Sequence, residues 1–355
     1  MVILPYRFIY QRNPFSIAST TGSNLFSITN SGRAIFGTTT ATTPTSSLTV
    51  AQRPQNVADS NSIAIGNEAL TYTSTTSTSL RNIALGYQAL YGSSTALMTG
   101  ADNFAVGYQA GYANTTGSFN TFIGSGAGRA NTAGAGNSFI GLQAGYANTT
   151  GSNNFFVGSL SGDVNTTGSS NMFVGYDAGG SNTTGSSNLF VGYRSGLSNT
   201  TGSDNFAVGY ESARNNSTGL NNIAIGNSAL FYNTTGSDNI ALGATSLVFN
   251  TTGNANIAFG TSTLYNTTGS NNIGLGRFAG YTNTSGGSNL YLGAFADAAA
   301  GTYSSSTAIG AGSIVGRSNA LILGGTGNSY VNVGIGTTTP ASTLTIRGTR
   351  WKQSS

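Results

Sequence analysis

Catalysis near neutral pH draws on carboxylates, imidazoles, thiolates and amines that converge on one point, and this chain contains no His and no Cys. The commonest general base, the commonest metal ligand and every disulfide or thiolate site are therefore missing. What remains is nine carboxylates, and they stand apart: Asp102, Asp163, Asp177, Asp204, Glu211 and Asp238 each fall in a turn segment or just past a short apolar run. Asp204 and Asp238 occupy the same place in a repeat but two repeats apart. At strand spacing that is about 10 Å, too far to share a proton. Calcium would require clustered carboxylates or a nonapeptide with recurring Asp, and neither is present. The G-x-G pairs Gly124–Gly126 and Gly334–Gly336 have no helix after them to cradle a phosphate. The expectation is no enzyme, no cofactor and no metal.

A second chemistry that spacing suggests is sugar attachment. Asn114, Asn148, Asn165, Asn182, Asn199, Asn216, Asn233, Asn250, Asn266 and Asn283 all match N-x-[ST], the acceptor pattern for N-glycosylation, on segments expected to be exposed turns. The competing reading is that Asn-Thr-Thr-Gly is simply good turn chemistry: Asn bonds its own downstream backbone and Gly supplies positive φ.

These residues sit in an unusual background. Only 6% of the chain is charged, against roughly 25% in an ordinary soluble domain, so the surface must be built from Asn, Ser, Thr and Gly. The thirteen basic residues are scattered singly from Arg7 to Lys352. No basic stripe forms, so the net charge of +4 does not point to nucleic acid or an anionic membrane. No apolar run approaches the ~18 residues of a membrane-spanning helix. The opening MVILPYRFIY has four apolar residues before Pro5 and no basic region ahead of them, so it does not read as a signal peptide.

The element that must position everything is a seventeen-residue repeat. Gly107, Gly124, Gly141, Gly158, Gly175, Gly192, Gly209, Gly226, Gly243 and Gly260 recur without an insertion, and the series continues through Gly276, Gly293 and Gly310 after one deletion. Gly66 and Gly86 belong to it with longer coils. The consensus is N-Φ-x-Φ-G-Y-x-A-G-x-x-N-T-T-G-S-x, with Φ a large apolar residue. Alternation around the middle residue, as in Ile223-Ala224-Ile225, marks a short strand, and recurrent Gly, Asn and β-branched residues exclude helix. A Tyr-x-Ala segment reads as a second short strand, and NTTG as a turn. One such unit cannot bury its own apolar residues, whereas stacked units can. The fold class expected is all-β, a parallel β-solenoid or β-roll of about fifteen 17-residue coils over residues 59–326, a rod on the order of 70 Å long. Stacked Asn side chains are expected to form hydrogen-bonded ladders. Strand-rich modules are expected at residues 1–58 and 327–355. Within them Asn13–Gly32 reads as two strands joined by a turn, and the segments 32–50 and 331–346 share a strand, Gly, Thr-tract, Pro and strand pattern.

Parity gives the sharpest expectation. If the Φ pair fills the coil, the middle residue points out, and Phe122, Phe139, Phe156, Phe173 and Phe190 form an exposed column together with Tyr176, Tyr193 and Tyr210 just past the strand. So large an apolar stripe predicts a subunit interface. The alternative is a solenoid flat enough for both faces to be covered by its own chain.

NSIAIGNEAL (Asn61–Leu70), RNIALGYQAL (Arg81–Leu90), DNFAVGYQAG (Asp102–Gly111) and NNIAIGNSAL (Asn221–Leu230) resemble the N-S-x-A-I-G-x-x-A repeats in the head of YadA-like trimeric autotransporter adhesins. Similar repeats occur in bacterial surface proteins and phage tail-fibre-like proteins. The adhesin head has a coil near fourteen residues, so this chain departs from it in period. The resemblance covers about three quarters of the chain and implies a left-handed coil and a homotrimer. The implied role is an extracellular or cell-surface structural and adhesive fibre, with a host receptor, surface or glycan as partner. A filament subunit joined through its end modules and a phage tail-fibre shaft are the alternatives. The apolar opening strand, which has no neighbour in sequence to pair with, favours the filament.

Overall fold

Stacking dictates the architecture. The computed structural model describes residues 62–74 and 80–325, and outside them the backbone of five short strands: Phe15–Ala18, Asn24–Ile28, Ala34–Phe36, Val333–Ile335 and Leu344–Ile346. The described residues contain no helix. They form a parallel β-solenoid of about fifteen coils in which each coil contributes one three-residue strand to a sixteen-stranded parallel sheet, from Ile63–Ile65 at one end to Leu321–Leu323 at the other. Register is strictly in line: Met172 faces Leu189, Phe173 faces Phe190 and Val174 faces Val191. The turns are stacked too, with Thr166 N–H donating to the Thr183 carbonyl at 2.9 Å and Asp177 N–H to the Ser159 carbonyl at 3.0 Å.

The Tyr-x-Ala segment is a turn, which corrects the expected second strand. Residues such as Asp177 (φ 58°) and Gly179 (φ 60°) lie in the left-handed region, and an extended ladder cannot pass through them. Within the described residues of the solenoid, 62–74 and 80–325, a second sheet appears where Asp297–Ala298 pairs with Ile314–Val315, beside two isolated bridges at Tyr72 and Thr73. Towards the N-terminus, Phe15–Ala18 and Asn24–Ile28 pair antiparallel. The strands Val333–Ile335 and Leu344–Ile346 pair parallel. The opening segment MVILPYRFIY lies outside the described residues.

The interior is narrow, with room for one strand side chain per coil, the middle one. Ala84, Ala105, Phe122, Phe139, Phe156, Phe173, Phe190, Ala207, Ala224, Ala241, Ala258, Tyr291 and Ala308 are all 0% exposed. Facing them is the residue four after the strand glycine, and the two positions share a fixed volume. Where the strand supplies Phe, the opposite position is Gly: a Cβ at Gly179 would lie 2.5 Å from the Phe173 ring. Where the strand supplies Ala224, Ala241 or Ala258, the opposite residue is a buried Leu, at 230, 247 and 264. Coils with a small residue at both positions stand at the junctions between these packings. At Gly111 an added Cβ would meet Phe122 at 2.5 Å and Leu90 at 2.8 Å, and at Gly280 it would meet Leu264 at 2.5 Å and Tyr291 at 2.6 Å. Large side chains of the two neighbouring coils thus lean into the space these small residues leave, which keeps the core at close-packed density.

Two asparagine ladders flank this apolar column. From Asn82 to Asn289 the Asn before the strand donates across the coil and its Oδ1 accepts from the next coil: Asn171 Nδ2 bonds the Gly185 carbonyl at 2.8 Å, and Asn171 Oδ1 receives the Asn188 backbone N–H at 2.9 Å. The turn Asn repeats the arrangement, Asn165 Nδ2 donating to Asn148 Oδ1 at 2.8 Å and to the Gly168 carbonyl at 3.0 Å. Along the regular coils the buried amides are thereby tied to their neighbours, the condition for a polar interior to stabilise rather than cost; Asn250 Oδ1 is the exception among the described ladder residues.

Candidate functional site: the outer face of the sheet

Because the middle residue of each strand points inward, the two Φ residues point out. This inverts the parity expected from sequence. Phe122, Phe139, Phe156, Phe173 and Phe190 are core residues stacked ring on ring, with centroids 4.7 to 5.6 Å apart, and they offer nothing to another subunit. The physical reason is the short strand: only one of three alternating side chains can enter a coil whose remaining fourteen residues are turn and bend. Tyr176, Tyr193 and Tyr210 do lie on the surface, stacked at 5.5 and 5.1 Å.

The face that is outside is apolar along nearly its whole length. Its two rows run through Phe155, Met172, Leu189, Phe206, Ile223 and Ile240 on one side and Val157, Val174, Val191, Val208, Ile225 and Leu242 on the other, each half-buried or exposed, Met172 at 42%. Beside them Tyr87 stacks on Tyr108 at 5.4 Å, and the Tyr176–Tyr193–Tyr210 row continues the border. Interruptions are few, Thr121 and Ser138 among them. Three residues across and sixteen strands long give a strip of roughly 10 by 70 Å, about 700 Å². That exceeds the apolar patches of ordinary monomers and approaches the roughly 800 Å² per partner of a stable interface.

The sequons undergo a second correction. Asn114, Asn148, Asn165, Asn182, Asn199, Asn216, Asn233, Asn250 and Asn283 are fully buried, and their Nδ2 atoms, the ones a sugar would occupy, point into the turn ladder. A glycan there is incompatible with the coil. Asn266 alone of the ten is displaced outward, because the one-residue deletion puts Thr267 in the interior place, and its Nδ2 bonds the Tyr281 carbonyl at 2.9 Å.

The carboxylates do not gather. Asp204 and Asp238 occupy exposed left-handed positions with Asn221 on the coil between, and Asp238 accepts from Asn221 at 3.2 Å. Asp102 is held by Arg81, which lowers its pKa through hydrogen bonding and charge. Asp177 lies 3.6 Å from Arg194, and Glu211 3.4 Å from Arg214. Burial, with the Asp177 charge second, pushes Asp163 up to about 6. Among the described residues no three carboxylates converge on a common point.

Fold and surface define a parallel β-solenoid rod with one long apolar face. Neither a family model nor a curated protein matches the chain.

Proposed function

We propose that the protein is a structural and adhesive fibre component: a stiff rod that packs against copies of itself, three in the assembly, through the outer face of its sheet. The observation that carries this is the pair of Φ rows, apolar over sixteen strands and covered by no other described part of the chain. Low charge suits the role, since a nearly neutral face meets its copy without like-charge repulsion. The inter-coil bonding described above suits a load-bearing spacer, with stability shared between neighbouring coils. The resemblance of the N-x-A-I-G repeats to trimeric surface adhesins supports the order of three and an extracellular location. Repeated turn surfaces give an array in which weak contacts add by multivalency.

Imaging of purified particles tests the reading. Discrete rods about 70 Å long, thicker than a single coil, are expected. Indefinite filaments would favour end-to-end polymerisation instead, and single coils lying apart would overturn self-association.

A further inference from the structure

Near one end of the rod the regular surface is broken by an aromatic cleft. Phe278 and Phe295 stack in successive coils with centroids 5.4 Å apart and planes 20° apart, and Tyr281 meets Phe278 edge-on at 5.5 Å. With Asp297 these three rings line a cleft of about 210 Å³. The position that stacks beyond Phe295 belongs to Gly312, where even an added Cβ would touch nothing within 4 Å. Phe295 is 48% exposed, and the stack that it forms with Phe278 has no ring to continue it at Gly312.

Polar groups on two sides complete the setting. The Asp297 carboxylate is held in place by Thr282 N–H at 3.0 and 3.1 Å, Thr282 Oγ1 at 2.7 Å and Ala298 N–H at 2.8 Å. These three donors fill most of the roughly four lone-pair sites of the carboxylate, and about one site stays open to a further donor. Arg277 lays its guanidinium on both rings, 5.3 Å from Phe278 and 4.8 Å from Phe295. It forms no ion pair among the described residues, so its N–H donors remain available. A flat ring, an acceptor and the exposed donors of Arg277 around a space too small for a drug-sized ligand suit a small molecule with one apolar face and a polar rim. A six-membered sugar ring, with an apolar C–H face and hydroxyls on its rim, is such a molecule.

We propose that the Phe278–Phe295–Asp297 cleft, with Arg277 at its edge, binds a single pyranose residue of a glycan, the C–H face resting on Phe295 and hydroxyls bonding Asp297 and Arg277. The assignment rests on the adhesive half of the reading above and is independent of self-assembly, because the cleft is complete within one chain. A single weak site of this kind becomes useful when several chains present it together.

Saturation-transfer NMR on the full chain with a panel of methyl pyranosides (gluco, galacto, manno, their N-acetylamino forms and N-acetylneuraminic acid) tests it. Transfer to the ring protons of at least one sugar is expected, abolished by Phe295→Ala and weakened about tenfold by Arg277→Ala, the scale of a lost charged hydrogen bond. Both residues lie at the surface, and melting curves and particle mass recorded in parallel separate failure of the site from failure of the rod. No transfer to any of these sugars, or transfer that survives Phe295→Ala undiminished, would overturn the proposal.

Discussion

At Thr267 the turn ladder of asparagines breaks. From Asn131 to Asn250 each Nδ2 finds the Oδ1 of the coil before it, but the shortened coil brings Thr267 inward and leaves Asn250 Oδ1 buried without a partner. An unpaired buried acceptor costs about 1 to 3 kcal/mol. Thr267→Asn is therefore expected to reconnect the ladder and raise stability by about 1 kcal/mol in chemical denaturation, whereas Asn182→Ala, which orphans Asn165 Oδ1 and takes the ladder acceptor from Asn199 Nδ2, lowers it by about 2 kcal/mol or more. Asp163 makes a pH-dependent contribution. Its folded pKa of about 6 stands above the ordinary 3.8, so the native state holds the proton more tightly than the unfolded chain. Stability is then highest below pH 4 and declines as pH rises through 6. Because the carboxylate still reaches water, the loss is about 1 kcal/mol at most. Asp163→Asn is expected to melt above the parent protein at pH 8 and together with it at pH 4; equal melting at both values would remove the effect.

At the scale of the coil, the repeat, the strand, the turn and the ladders were all legible in the sequence, because stacking makes every coil repeat its neighbour's environment and so writes the fold as a period. Which face is inside was not legible from hydrophobicity alone, since Ile, Val and Phe on either side of Ala207 or Ala224 look more like core than the alanine does. The signal lay in what each position tolerates. Thr121, Ser138 and Thr307 stand at the first strand position, while the middle of the sixteen solenoid strands holds only Ala, Phe, Gly, Tyr or Ile. The exchange of Phe with Gly for Ala with Leu was a second signal, readable only once the two positions are known to face each other. The sequons misled because N-T-T-G is turn chemistry whose Asn turns inward to stack. The same packing yields a prediction: Gly179→Ala places a methyl against the Phe173 ring at a left-handed φ, and overpacking of this kind costs about 1 to 3 kcal/mol. Ala at position 213, which occupies the equivalent place facing Ala207, is already buried without such a clash. A Gly179→Ala protein that unfolds at the same denaturant concentration as the parent would contradict the fixed-volume account of the core.

At the scale of the whole molecule, the two-sided character of each strand separates folding from assembly. The inward residues hold one rod together, and the outward ones leave an apolar strip of roughly 700 Å² that water covers poorly. Charges placed on that strip should leave the coil intact, since Val174 and Val208 take no part in the interior, while making burial against another copy costly. Sedimentation equilibrium of the parent chain beside the Val174→Glu/Val208→Glu double variant tests this most directly. The account predicts a particle of three 35.9 kDa chains for the parent, and a single chain with an unchanged circular dichroism spectrum for the variant. A parent chain that sediments as a monomer at micromolar concentration, or a variant that keeps the parent's mass, would contradict it.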